Sequence, residues 1–234
     1  MPEEGLFRRR HLPHIDVEDK PYFVTGCLAG SISAVGISKI RRYRNELDSR
    51  PKPIEFTTEQ WEMQKHKLVF KLVDDLLDGE SPSQYLADPR LAEILQNSFL
   101  FFAGVRYDLL AFVVMPSHHH WLFLPKRDWA DSLADQSTTG QKAMSPRESI
   151  SHSIQSYTAN QCNRFLGRSG TFWQGETFDH YPRDEAELLR IIHYIENNPV
   201  KAKLIEHPHE WPWSSAALRH RRNLAPGEPI LKVG

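Results

Sequence analysis

Apolar positions recur along this chain with two different periods, and the switches between them mark out the expected elements. Tyr22 to Leu28 (YFVTGCL) is aromatic and β-branched, which predicts a first strand. Gly36 to Asn45 carries Ile37, Ile40 and Tyr43 at spacings of three, a short helix with Lys39, Arg41, Arg42 and Arg44 on its other faces. Pro51-Lys52-Pro53 breaks the chain. Trp61, Leu68, Leu72, Leu76 and Leu77 then recur near 3.6 residues, predicting a longer helix over Thr58 to Leu77 with Thr58 as its cap. Asp88-Pro89 opens the next helix, because proline's missing N–H costs nothing at a first helical position.

Asp108 to Met115 (DLLAFVVM) is a near-continuous apolar run, the pattern of a strand buried on both faces. Pro116-Ser117 joins it to a second strand, His118 to Leu124 (HHHWLFL). Residues 126 to 147 are polar and read as a flexible loop. Arg147 to Phe165 is expected to be a helix, closed by the glycines between Gly167 and Gly170. Phe172 to Tyr181 reads as extended, and Glu185 to Glu196 as a helix that stops before Pro199. A tail of short pieces follows, with Trp211, Trp213 and the basic patch Arg219 to Arg222.

Length and composition narrow the function classes. The 234 residues suffice for one sizeable domain, and 29 Lys+Arg against 30 Asp+Glu give a net charge of -1. A basic field over the whole protein is excluded, so any nucleic-acid contact must come from local clusters. Arg106 and Asp108 interrupt the longest apolar stretch, which rules it out as a membrane span. The opening MPEEGLFRRR lacks the apolar core of a secretory signal. Cys27 and Cys162 are the two cysteines, too few for a disulfide framework, and a reduced cytoplasmic protein is expected.

The chemistry-bearing residues fall in two places. His118 and His120 stand two apart on an expected strand, so both imidazoles share one face while His119 points the other way. Such a pair can chelate a divalent cation with a third ligand from elsewhere, or can simply be a polar strand end. Tyr157 and Gln161 are spaced i, i+4 on one helix face. Beside a metal, that tyrosine would be a candidate nucleophile and the glutamine amide oxygen a candidate ligand, while the bland alternative is ordinary helix packing.

The run FVVMPSHHHWLFL (112 to 124) resembles the His-hydrophobic-His strand of the HUH single-tyrosine transposases. SIQSYTANQCNRFLGRSGTFWQGETFDHYPRDEAEL (153 to 188) and YIENNPVKAKL (194 to 204) are similar to the REP-associated tyrosine transposases of that family, as is the opening HLPHIDVEDKPYFVTGCL. The resemblance spans about residue 11 to about residue 215, with the motifs in order.

It implies an α+β fold, a small antiparallel sheet (a ferredoxin- or RRM-like HUH core) with helices mainly on one face. Residues 31 to 97 would form a helical insert and 205 to 234 a C-terminal tail in a single domain. It further implies that His118, His120 and Gln161 hold Mg²⁺ or Mn²⁺. Tyr157 would attack a phosphate of single-stranded or hairpin DNA to form a 5′-phosphotyrosine, a strand transfer rather than a hydrolysis, by a monomer or homodimer. A domesticated DNA-binding protein that has lost catalysis is the alternative. An unrelated hydrolase using the histidines with Asp179 or Glu176 is a third reading. Two positions depart from the family spelling: His119 replaces a bulky apolar residue, and Lys203 replaces the glycine of NPVKAG.

Arg41, Arg42, Arg164 and Arg168 are candidate phosphate contacts, and Trp173 a candidate stacking platform for an unpaired base. For Phe172 and Trp173 the competing expectation is packing onto the sheet.

Overall fold

The computed structural model describes residues 20–79, 81–135, 144–174 and 178–231. Four strands, β1 (Tyr22–Cys27), β2 (Tyr107–Val114), β3 (His118–Pro125) and β4 (Phe178–His180), form an antiparallel sheet in the order β2-β3-β1-β4. The expected hairpin is closed between β2 and β3 by Met115, whose N–H donates to the His118 carbonyl at 2.9 Å. On the other side of β3 the register pairs His118 with Cys27, His119 with Gly26 and His120 with Thr25.

Helices α1 (Ala34–Ser49) and α2 (Thr58–Asp78) form an antiparallel pair with a core of its own, Ile40 and Leu47 against Val69, Val73 and Leu77. The cap of α2 is Thr57, one residue before the expected position. Its hydroxyl accepts from Gln60 N–H while the Gln60 side chain accepts from Thr57 N–H, a reciprocal capping box. A single 3₁₀ turn (Tyr85–Ala87) leads into α3 (Pro89–Phe101), which Asp88 caps. α4 (Arg127–Asp135) occupies part of the segment expected to be a loop, and there the expectation is corrected: Trp129 packs against the main core and gives the polar stretch one apolar anchor. Residues 136–143 of that segment lie outside the described residues, and its last two residues open the next helix.

α5 (Pro146–Phe165) and α6 (Glu185–Lys201) follow, then α7 (Ser215–Arg222). α6 runs past Pro199 instead of stopping before it, and ends where Lys203 takes a left-handed φ of 59°. There Leu204 N–H reaches back to the Pro199 carbonyl at 2.9 Å, closing the last turn.

The α+β class expected from the sequence is observed, with helices on both faces of the sheet rather than mainly on one. One face carries Tyr22, Val24, Phe112, Trp121 and Phe123 against α3 and α5. The opposite face carries Phe23, Val113 and Leu122 against α6, with the α1–α2 pair beside it. The C-terminal segment also belongs to the core. Trp213 accepts through its carbonyl from Val114 N–H, Ile230 N–H donates to the Leu109 carbonyl, and buried Arg219 donates to Glu196 and to the Leu110 carbonyl. Arg219 therefore serves the interior and the edge strand, not a surface basic patch. No described helix is long and apolar enough to cross a membrane.

Candidate metal centre and the tyrosine helix

Period-two alternation on β3 sends three adjacent histidines to two destinations. His118 and His120 point to the α2–α6 side, where both are fully buried. There they meet Asp74, a buried carboxylate on α2, and the candidate ligand atoms of the three lie within 4.8 Å of one another. His120 Nε2 stands 3.2 Å from Asp74 Oδ1.

The far nitrogens of both rings are anchored by hydroxyls. Thr25 Oγ1 lies 2.7 Å from His120 Nδ1, and Ser117 Oγ lies 3.0 Å from His118 Nδ1. The Ser117 hydroxyl donates its one proton to the Leu77 carbonyl at 3.1 Å. It can then only accept from His118, which puts that imidazole's proton on Nδ1 and leaves the Nε2 lone pair facing inward. This is the arrangement by which outer hydrogen bonds orient metal-binding histidines.

His118 Nε2, His120 Nε2 and Asp74 Oδ1 are buried with no hydrogen-bond partner. Three orphaned atoms in one pocket are costly unless something satisfies them, and an imidazole–imidazole–carboxylate set suits a divalent cation. The residues present fit such a group.

The charges around the pocket are balanced from α6. Lys201 Nζ lies 2.5 Å from Asp74 Oδ2, 3.0 Å from Asp78 Oδ2 and 3.2 Å from Asp75 Oδ1. Burial alone would raise the Asp74 carboxyl, but His120 and Lys201 together hold it well below its ordinary range. Asp78 is raised instead, by burial and by the charge on Asp74. Burial also keeps His118 neutral, far below its ordinary value. Tyr194 of α6 packs 5.4 Å from the His120 ring, and burial with the nearby Asp74 charge raises its phenol strongly. A cavity of about 80 Å³ lined by Asp78, Ser117, His118 and Leu204 opens beside the histidines.

His119 points to the other face. Its ring meets Phe99 at 5.3 Å and Trp173 at 5.0 Å, both edge-on. It fits because its strand partner is glycine: a Cβ at Gly26 would collide with the imidazole. Both ring nitrogens are unpartnered, and burial, with a lesser push from His120, lowers its pKa to about 3.

α5 lies on this same face, packing through Ile150, Ile154 and Cys162 of the main core. Tyr157 is 55% exposed at its edge and Gln161 half-buried. The structure therefore brings His118 and His120 together with Asp74, and leaves Tyr157 and Gln161 across the sheet from them. Trp173 is buried, its indole N–H donating to Thr158 Oγ1 at 3.0 Å, so its ring is taken up by packing. Arg41, Arg42 and Arg164 are exposed and Arg168 half-buried.

Sequence reading missed Asp74, Lys201 and Asp78. One signal for Asp74 was available. It stands four residues after Phe70 and three before Leu77, a carboxylate inside the apolar stripe of its helix.

No protein-family model matches the chain. It is 28% identical over 134 residues to a putative REP-associated tyrosine transposase of Haemophilus influenzae, a match covering 54% of this chain and 71% of that protein. A second, uncharacterized protein of Haemophilus influenzae is 29% identical over 118 residues, covering 45% of this chain and 60% of the relative. Among solved structures, a REP-associated tyrosine transposase bound to a REP hairpin is similar at a TM-score of 0.49 and 17% identity, over 97% of this chain and 92% of that one. With its ordered motifs and this curated relative, the chain is similar to the REP-associated tyrosine transposases of the HUH family.

Proposed function

We propose that the protein is a metal-dependent transposase that cleaves and rejoins single-stranded or hairpin DNA in the cytoplasm through a 5′-phosphotyrosine. The observation that carries this reading is the convergence of three unpartnered ligand atoms, Asp74 Oδ1, His118 Nε2 and His120 Nε2, in one buried pocket. Asp74 takes the third-ligand place that the resemblance gives to Gln161. Mg²⁺ or Mn²⁺ held by these residues would supply Lewis-acid polarisation of the scissile phosphate.

The chain's own residues do the rest. Thr25 and Ser117 orient the two imidazoles, Ser117 also fixing the His118 tautomer, and Lys201 keeps Asp74 ionised. The Tyr157 hydroxyl attacks phosphorus, forming the Tyr–O–P bond as the bond to the 3′ oxygen breaks. The phenol's proton ends on that oxygen as a free 3′-OH. Tyr157 is exposed enough to meet a strand. Because α5 lies across the sheet, it reaches the pocket through a rearrangement of α5 or from the α5 of a second copy.

The separation of Tyr157 from the histidines favours a second reading, a hairpin-binding protein of this family without catalysis. One experiment divides the two. Protein incubated with labelled hairpin oligonucleotides and Mn²⁺ is run on a denaturing gel beside Tyr157→Phe and His120→Ala. A metal-dependent shifted band lost in both variants is expected. Hairpin binding with no band supports the silent binder, and a band surviving Tyr157→Phe moves the nucleophile, with Tyr194 tested first.

A further inference from the structure

Asp78 stands one turn beyond Asp74 on α2, so the two carboxylates share a helix face. The two imidazoles opposite share a face of β3. The pairs meet in register: Asp74 Oδ1 lies 3.2 Å from His120 Nε2, and Asp78 Oδ1 lies 3.9 Å from His118 Nε2. Behind both acids the Lys201 ammonium holds the outer oxygens, Oδ2 of Asp74 at 2.5 Å and Oδ2 of Asp78 at 3.0 Å. All four inward atoms, two oxygens and two nitrogens, are buried without a hydrogen-bond partner.

The meeting of Asp78 with His118 is not a hydrogen bond. Ser117 places the imidazole's proton on Nδ1, so Nε2 presents a lone pair to the pocket. The carboxylate oxygen opposite is also an acceptor, and 3.9 Å is beyond hydrogen-bond reach. Two acceptors aimed at one another in a buried pocket are costly unless a cation lies between them. Asp75 marks the contrast. Its carboxylate lies 3.2 Å from the same ammonium, but its side chain is 51% exposed against 9% for Asp78. The cavity beside the histidines borders Asp78 and His118, not Asp74 or His120, so Asp78 stands on the side from which an ion would enter.

We propose that Asp78 is a fourth ligand of the centre, and that the resulting set of two imidazoles and two carboxylates takes a first-row transition ion in preference to Mg²⁺. The inference rests on the metal-dependent reading above and adds a ligand and a choice of ion. The choice follows from the donor set. Mg²⁺ favours oxygen donors and gives up its waters reluctantly, binding through one or two carboxylates and keeping the rest of its shell. Here four buried protein atoms must replace that many waters, and two of them are imidazole nitrogens, which suit transition ions. Lys201 is a positioning residue for both acids: by holding each outer oxygen it turns the inner one toward the histidines.

The test is titration calorimetry with Mn²⁺ alone, the weakest binder of the transition series and so the most demanding probe. Asp78→Asn should bind Mn²⁺ at least about tenfold more weakly than the unaltered chain, since even an outer partner of a metal ligand is worth that much. Asp75→Asn takes the same charge from the same ammonium and should stay within about threefold, because solvent screens an exposed carboxylate. Urea denaturation without metal checks that both variants fold. The visible spectrum of the Co²⁺-loaded protein should shift in Asp78→Asn and not in Asp75→Asn, a change of ligand field that a purely structural role would not produce. Mg²⁺ should bind the unaltered chain at least about tenfold more weakly than Mn²⁺. Unchanged affinity in Asp78→Asn, equal losses in both variants or an unshifted Co²⁺ spectrum overturns the fourth ligand and leaves the three-ligand centre standing. Equal affinity for Mg²⁺ and Mn²⁺ overturns the ion preference. An unaltered chain that binds no Mn²⁺ overturns the metal-dependent reading and this inference with it.

Discussion

His118 and His120 on one face of β3 and His119 on the other are the same side chain, one residue apart and equally buried. The pair is anchored at one nitrogen by hydroxyls and aimed at a carboxylate with the other, whereas His119 sits among rings with neither nitrogen satisfied. The difference teaches that the opposing element, not the residue, sets the chemistry of a buried imidazole. α2 brings an acid to one face, and α3 and Trp173 bring aromatics to the other. One surface can hold an ion; the other can only exclude water.

Five substitutions would break or sharpen that contrast. The largest effect is expected from Asp74→Ala, which removes the carboxylate from the paired side. Mn²⁺ affinity, read by titration calorimetry, should fall about 100-fold or more, since even outer partners of metal ligands are worth 10–100-fold. His119→Ala should leave it within a few-fold. Unchanged affinity in Asp74→Ala would remove this residue from the ligand set.

On the apolar side, Gly26→Ala drives a methyl group into the His119 ring. Overpacking of this kind costs about 1–3 kcal/mol, read by urea denaturation, and a Gly26→Ala/His119→Ala double variant should recover most of it. An additive pair would show that the collision is relieved elsewhere.

His119→Leu replaces an imidazole with two orphaned nitrogens by an apolar side chain, and should stabilise the fold by about 1–2 kcal/mol. It should also flatten the acid limb of stability. The unfolded chain takes up this proton near the ordinary pKa of 6.5, the folded chain only near 3. Stability therefore falls as pH drops from about 6.5 toward 3, by roughly 1.4 kcal/mol per pH unit from this group at full slope. An unchanged slope in the leucine variant would assign the acid sensitivity to other groups. The smallest effect lies away from both faces. Lys203→Gly relieves a left-handed residue at the end of α6 and should add about 1 kcal/mol, with Mn²⁺ affinity unchanged.

Local pattern carried far into this structure. The β2–β3 hairpin, the face shared by His118 and His120, and the starts of α3 and α5 were legible because alternation, capping and proline act within a few residues. Asp74 was not, because its role depends on α2 docking beside the sheet, a tertiary event without a local motif. Trp173 illustrates the converse: an aromatic after glycines reads equally as platform or core, and Thr158 and His119, distant in sequence, decide for core. Pro199 reads as a stop, yet in the last turn it costs one backbone bond, which the reach-back from Leu204 offsets.

Asp74 gives the α1–α2 pair a second significance. A cation shared between a helix on its own small core and two strand histidines makes helix docking and ion occupancy one linked equilibrium. Whatever loosens α2 from the sheet must weaken the ion by the same factor, and added ion must return that factor as protection of α2 backbone amides from exchange. With an ion bound there, the helix would serve as a gauge of the centre's occupancy.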